Sequence, residues 1–143
     1  ISEHDRVSLI NGIKQNLIDV IVSDHVPEDE ESKRLPFAQA AQGAIGVETL
    51  LPLSLELYHN KSLPLNKIIE VLTINPAKIL KINKGSLKKG LSADICIFDL
   101  EKPWVVKADK LKSKSKNTAI ENRKLQGKIL MTFLNGELLY NQS

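Results

Sequence analysis

The chain has 143 residues, 42% of them hydrophobic, and a formal net charge of +3, as expected for one globular domain with a hydrophobic core. This mild charge argues against nucleic acid as a partner, and no apolar run approaches the roughly 18 residues that a membrane span needs. The single cysteine, Cys96, lies in an apolar run. We therefore expect a buried thiol, no disulfide framework and a reducing, cytoplasmic location.

The first segment of the chain predicts an amphipathic helix. Ser2 or Asp5 can cap it, since both side chains accept hydrogen bonds from the free N–H groups of a first helical turn. The helix is predicted to run to about residue 17 because apolar residues recur at helical spacing. This expected apolar stripe consists of Val7, Ile10, Ile13 and Leu17.

A short apolar run follows, and it predicts a strand. Val20-Ile21-Val22 is uniformly β-branched, which is typical of a strand buried on both faces in a parallel sheet. The run ends in the polar residues Ser23-Asp24-His25. A helix, a buried strand and a polar tip together indicate an α/β unit with its functional residues at the carboxyl end of the strand.

The middle of the chain predicts a loop and two further helices. Residues 26–42 are charged and contain prolines, which indicates a loop. One helix is predicted over Val47–His59, and another begins at Pro64 and is broken by Asn75-Pro76.

From residue 85 the pattern changes to that of β-structure. Asn135-Gly136 lies between two apolar runs and predicts a tight hairpin into Glu137–Tyr140. The preceding strands are predicted at Ala93–Phe98, Trp104–Val106 and Lys128–Phe133.

Asp24 and His25 are the main candidates for chemistry. A carboxylate at the mouth of a buried strand can bind a metal or act as a general base, and an imidazole can add a ligand or a donor. Alternatively, Asp24 caps the loop and His25 is a surface residue. The residues alone leave both interpretations open.

Two other segments have a functional and a plain interpretation. Gln42-Gly43-Ala44-Ile45-Gly46 precedes a helix and could offer N–H groups to an anion, although an ordinary glycine loop fits equally well. The acidic run from Glu28 to Glu31 and the five lysines within residues 107–116 are each interpreted as solvated loops.

Several motifs occur in order along the chain. Ser23-Asp24-His25-Val26-Pro27 is similar to a Ser-Asp-His-Ala-Pro segment, and residues 43–49 are similar to a Gly-x-x-Gly-x-Glu-Thr helix start, both found in bacterial dihydroorotases. Together with the other motifs they resemble the dihydroorotase branch of the amidohydrolases over essentially all residues. These other motifs are Lys33–Phe37, Thr73–Lys78, Gly85–Gly90, Ala93-Asp94-Ile95 and Ser113–Thr118.

The resemblance implies an α/β fold. Residues 1–84 would be the end of a metal-dependent (β/α)₈ amidohydrolase barrel, with its last strand and helices, and residues 85–143 would be strands of a small C-terminal β-sandwich domain. A complete barrel needs at least roughly 200 residues. The chain, which begins with Ile1, is therefore expected to be a C-terminal portion that is inactive alone.

The same resemblance implies a zinc-dependent hydrolase that interconverts dihydroorotate and N-carbamoyl-aspartate in pyrimidine biosynthesis. Asp24 would bind metal and shuttle a proton, and Glu28, Gln42 and Gly43 would contact substrate. One or two zinc ions are implied, with most ligands preceding Ile1. Glu28 stands where the family usually has a histidine, and its charge would repel a substrate carboxylate.

Other activities and partners remain open at this stage. Another cyclic amidohydrolase, such as a hydantoinase or an allantoinase, is one alternative. A non-catalytic dihydroorotase-like subunit that supports aspartate carbamoyltransferase is another. The expected partners are accordingly a small-molecule substrate and either a second copy of the chain or aspartate carbamoyltransferase.

Overall fold

The computed structural model describes residues 2–142, which form five helices followed by one sheet. The helices are α1 (Glu3–Lys14), α2 (Glu30–Arg34), α3 (Leu50–His59), α4 (Leu65–Leu72) and α5 (Ile74–Ile79). The strands are β1 (Ile95–Val105), β2 (Lys124–Leu134) and β3 (Glu137–Asn141), with a 3₁₀ turn at Ala108–Lys110 between β1 and β2.

Helix α1 begins at Ser2, one of the two predicted caps, in a capping box with Asp5. The Ser2 hydroxyl accepts a hydrogen bond from Asp5 N–H at 3.2 Å, and the Asp5 carboxylate accepts one from Ser2 N–H at 2.9 Å. Ser2 and Asp5, the two residues predicted as caps, therefore cap the helix together. This reciprocal pair also lowers the pKa of Asp5, because the carboxylate accepts these hydrogen bonds when it is ionised.

The predicted apolar stripe of α1 is only half right. Ile10 and Ile13 are buried, but Val7 is 43% exposed and Leu17 is 74% exposed. Leu17 lies beyond the end of the helix at Lys14, so it no longer shares the helical face. The buried pair packs with Leu63, Ile68 and Val71 in a core between α1 and α4.

The strand predicted at Val20-Ile21-Val22 is wrong for the described residues. The segment is in no ladder, although Ile21 N–H bonds to Val71 C=O at 3.3 Å, and Val22 is 71% exposed. A parallel strand needs a neighbouring strand to accept and donate its backbone hydrogen bonds. Residues 2–142 place only an isolated parallel bridge, His25 with Ala44, at the end of this segment.

The sheet is antiparallel in the order β1-β2-β3. The two strands predicted at Ala93–Phe98 and Trp104–Val106 are one strand with an irregularity between Asp99 and Pro103, and the predicted hairpin at Asn135-Gly136 is confirmed. Cys96 is exposed, so the expectation of a buried thiol is wrong. Cys96 lies on β1, an edge strand that pairs only with β2 among residues 2–142, and most side chains of this strand are exposed.

Helix α3 packs on β2, where a glycine permits close approach. Gly127 has φ +97°, and a Cβ placed there would lie 2.4 Å from Leu55 Cδ1. A second core, in which Ile45 of the early loops meets Val106, Leu111 and Leu125, lies beside this contact. Residues from before and after position 85 thus share buried apolar surface.

The fold class is α/β, as predicted. Residues 2–142 contain one three-stranded antiparallel sheet. No helix among these residues has the length and apolar character required to cross a lipid bilayer.

Candidate active site

Asp24 lies at a strained point of the chain. Its φ is +45°, a left-handed conformation that is uncommon for residues other than glycine. Asp and Asn are among the side chains that tolerate this conformation best. The residue is exposed and lines the rim of a pocket with a volume of about 520 Å³. Such strain at a polar loop tip is often found at functional sites.

His25 connects the loop of Asp24 to the glycine loop. Its Nδ1 accepts a hydrogen bond from Gly46 N–H at 3.0 Å. A neutral ring that accepts at Nδ1 carries its proton on Nε2 and therefore cannot offer Nε2 as a metal ligand. Of the two roles considered from the sequence, the donor role for His25 fits this geometry and the ligand role does not.

Two glycines allow these loops to lie side by side. Val26 N–H bonds to Ala44 C=O at 3.0 Å, next to the bridge between His25 and Ala44. A Cβ at Gly43 would lie 2.6 Å from Val26 Cβ, and one at Gly46 would lie 2.5 Å from the Ser23 carbonyl oxygen. Any larger residue at either position would separate the loops, so these glycines are required by the close approach.

The pocket has apolar walls and a polar rim. Thr49, Leu50, Leu53 and Leu57 line it from the start and inner face of α3. Ser23, Asp24 and residues 43–46 also line it. This combination of an apolar cavity with a few polar groups is typical of a small-molecule site.

The four site residues predicted from the sequence are only partly brought together. Asp24 and Gly43 both line the pocket, whereas Glu28 and Gln42 do not. Glu28 is half-buried beside it, and Gln42 is exposed. Lys33 Nζ donates to the carbonyls of Ala41 and Gly43 at 2.7 and 3.0 Å, which fixes the course of the loop before the glycine.

The described residues do not form a metal centre by themselves. Among residues 2–142, no three histidine, cysteine, aspartate or glutamate side chains converge where they could hold a metal ion. A catalytic zinc generally takes three protein ligands and a water. Asp24 offers one carboxylate, so zinc at this pocket would need further ligands from outside the described residues.

Sequence reasoning missed the segment that fixes these loops from the other side. Asn117 Oδ1 accepts from Glu28 N–H at 3.4 Å, while its Nδ2 donates to Gly43 C=O at 3.2 Å. The Glu48 carboxylate accepts from Lys112 N–H at 2.9 Å and from Ser113 N–H at 3.0 Å. The motif at residues 113–118 was a signal, but nothing in its pattern revealed the contacts.

Comparison with known protein families shows which class of protein this sequence belongs to. The sequence model described as the Amidohydrolase family matches residues 1–139. The chain belongs to the amidohydrolase family.

Two curated relatives show which members of the family the chain is similar to. The chain is 48% identical over 139 residues to a protein of Ehrlichia chaffeensis named dihydroorotase, with 97% of this chain and 31% of that protein aligned. It is 41% identical over 138 residues to the dihydroorotase of Aquifex aeolicus, covering 96% of this chain and 32% of the relative. The chain thus spans about a third of the length of these curated relatives.

Solved structures agree on the fold. The chain matches the L-hydantoinase (dihydropyrimidinase) of Arthrobacter aurescens with a TM-score of 0.91 and 30% identity, covering 99% of this chain and 33% of that one. It matches the dihydropyrimidinase of Brevibacillus agri with a TM-score of 0.91 at 18% identity, covering 98% of this chain and 32% of that one. The second likeness concerns the fold alone.

Proposed function

We propose that this chain is the C-terminal part of a dihydroorotase, which interconverts dihydroorotate and N-carbamoyl-aspartate in pyrimidine biosynthesis. The observation that carries the proposal is the strained, exposed Asp24 at the rim of the pocket. The identity of up to 48% to proteins named dihydroorotase supports the choice of substrate.

In this proposal Asp24 is the proton carrier. Its carboxylate takes a proton from the attacking water and delivers it to the ring nitrogen, as the bond between the carbonyl carbon and that nitrogen breaks. Zinc, when bound, polarises the amide carbonyl and lowers the pKa of water. Asp24 would also give this ion one oxygen ligand, and the remaining ligands would have to come from outside residues 2–142.

The proposed domain arrangement, substrate contacts and partners rest on the same resemblance to dihydroorotases. Residues 1–84 would complete a (β/α)₈ barrel, and residues 85–143 would belong to a small β-sandwich beside it. Glu28, Gln42 and Gly43 would contact the substrate, and the ionised Glu28 side chain would repel a substrate carboxylate that approached it. The protein would act in the cytoplasm, as a homodimer or with aspartate carbamoyltransferase, and residues 1–143 alone would neither bind zinc tightly nor turn over substrate.

The test is Asp24→Asn in the complete gene product. Asparagine tolerates the left-handed backbone and fills the same volume, but it cannot accept the proton. We expect kcat for dihydroorotate hydrolysis to fall at least about 100-fold, the usual effect of losing a general base. Asp19→Asn, an exposed aspartate five positions earlier, is the matched control and should leave kcat unchanged.

The substrate is tested in the same preparation. Dihydroorotate should be hydrolysed faster than a 5-substituted hydantoin or allantoin, with zinc content measured alongside. Faster turnover of hydantoin would favour the hydantoinase-like alternative, for which the structural likeness to L-hydantoinase is the specific support. No turnover of any cyclic amide by a zinc-loaded protein, or normal turnover by Asp24→Asn, would refute the proposal.

A further inference from the structure

The two loops that carry the candidate residues are joined by a third segment, far away in sequence. Residues 111–118 lie between the 3₁₀ turn and β2, yet they contact the loop at 25–28 and the loop at 42–48. The contact between Asn117 and Glu28 joins residues 89 positions apart. We name residues 111–118 the clamp segment.

Asn117 is the centre of the clamp segment. Its side-chain oxygen accepts from Glu28 N–H and from the Ser115 hydroxyl of the same segment, and its side-chain N–H donates to Gly43 C=O. Its own backbone carbonyl accepts from Ile45 N–H at 3.2 Å. One residue therefore ties together the positions after Asp24 and the glycine loop that faces them.

Neighbouring groups hold the clamp segment in place. The Ser115 hydroxyl donates to the Glu28 carbonyl, so both backbone groups of Glu28 are bonded to this segment. The Glu48 carboxylate accepts from two successive N–H groups at its start, Lys112 and Ser113. Leu111 is 7% exposed and packs with Ile45, which anchors the segment to the second core.

We propose that Asn117 is a positioning residue that sets the spacing between the Glu28 loop and the Gly43 loop, and through it the affinity for the cyclic-amide substrate. This inference rests on the proposed function, in which these loops contact the substrate. Only an amide fits the position, because an acceptor must face Glu28 N–H and a donor must face Gly43 C=O. A carboxylate of the same shape could accept from Glu28 N–H but could not donate to Gly43 C=O, which would then keep only its bond from Lys33 Nζ.

The prediction concerns KM and kcat in the complete gene product. Asn117→Ala removes both hydrogen bonds, and Asn117→Asp keeps the shape but turns an acceptor oxygen toward the Gly43 carbonyl. Both variants should raise KM for dihydroorotate by roughly 3- to 10-fold, the effect of about one hydrogen bond, with kcat within about twofold. Asn66→Ala, at an exposed position on α4, is the matched control and should change neither constant.

The outcomes separate a positioning role from simple packing. If Asn117 only filled space, the isosteric Asn117→Asp would behave like the unsubstituted protein, and that result would overturn the inference. A fall in kcat at constant KM would overturn it as well, because the effect would then lie on the proton transfer at Asp24.

A second measurement does not depend on activity. Hydrogen exchange of the Glu28 amide reports directly on the bond to Asn117 Oδ1. We expect this amide to exchange faster in Asn117→Ala, while the Val106 amide, bonded to Arg123 C=O, keeps its protection. If the unsubstituted protein fails to hydrolyse dihydroorotate, the proposed function fails, and this exchange experiment still decides whether Asn117 holds the loops. Unchanged exchange at the Glu28 amide would show that Asn117 does not hold the Glu28 loop.

Discussion

The helical part of the chain, residues 3–79, and the sheet, residues 95–141, form their backbone hydrogen bonds in different ways. Helices bond each N–H to a carbonyl four residues earlier, so their order is local. The sheet pairs β1 with β2 from Ile95 opposite Phe133 to Val105 opposite Lys124. The loops around the pocket combine a few backbone hydrogen bonds, such as Val26 N–H to Ala44 C=O, with bonds to the side chain of Asn117. Within residues 2–142, the candidate site therefore depends on hydrogen bonds between residues 74 to 89 positions apart.

A second contrast concerns the two hydrophobic cores. The first core is built within the helical part, from Ile10, Ile13, Leu63, Ile68 and Val71. The second core joins Ile45 of the pocket loops to three residues that follow β1 or lie in β2. Substitutions in the first core should therefore destabilise the packing of the helices. Substitutions at the contact between α3 and β2 should instead weaken the packing of the helical part on the sheet.

The largest expected effect is in the first core. Ile68 is fully buried, so Ile68→Ala removes its contacts and leaves a cavity, which should lower the free energy of unfolding by about 2–5 kcal/mol. Ile79→Ala is the matched control because Ile79 is 61% exposed, and it should cost less than about 0.5 kcal/mol. Urea titration of the complete gene product measures both, and equal costs would contradict the assigned core.

A smaller effect is expected where α3 meets the sheet. Gly127→Ala introduces a Cβ 2.4 Å from the Leu55 side chain, which is fully buried and cannot move freely. Gly90→Ala is the matched control, since its φ of +93° is similar to the +97° of Gly127 and nothing lies within 4 Å of the added Cβ. We expect Gly127→Ala to cost about 1–3 kcal/mol more than Gly90→Ala in the free energy of unfolding.

That difference isolates packing from backbone strain. Both substitutions place alanine at a positive φ, so the strain largely cancels when the two free energies are compared. If both variants lost the same stability, α3 and β2 would not be closely packed, and the union of the helical and sheet parts would rest on other contacts.

The smallest effect concerns the end of the sheet. The Asp94 carboxylate accepts from Asn135 N–H at 2.8 Å and from the Ser92 hydroxyl at 3.0 Å, and it pairs with Lys84. The hydrogen bond from Lys84, followed by the one from Asn135 N–H, lowers the pKa of Asp94 from 3.8 to about 2. The carboxylate thus connects residue 84, before the sheet, with the turn between β2 and β3.

The sign of the pH effect follows from this depressed pKa. The stabilisation is present above the unfolded pKa of 3.8 and is lost as the pH falls through about 2. We expect the stability difference between the unsubstituted protein and Asp94→Asn to be constant above roughly pH 5 and to shrink between about pH 4 and 2. A stability difference that is independent of pH across this range would contradict the assigned contacts of Asp94.

Much of the scaffold could be predicted because its signals are local. Asn135-Gly136 predicted the hairpin, and both residues have positive φ, 51° and 84°, as a tight turn requires. Val20-Ile21-Val22 carried an equally clear strand pattern, yet it forms no ladder with any other part of residues 2–142. A hairpin brings its own partner strand, whereas a parallel strand depends on segments distant in sequence.

The site divides in the same way. The sequence by itself determined the α/β class, the caps and turns, and Asp24 as the polar residue at the end of an apolar run. Only the tertiary structure placed Asp24 and Gly43 at one pocket, fixed the His25 ring through Gly46 N–H, and brought Asn117 to both loops. Side-chain hydrogen bonds to irregular backbone leave no periodic pattern in a sequence, because any polar residue at the right point in space can make them.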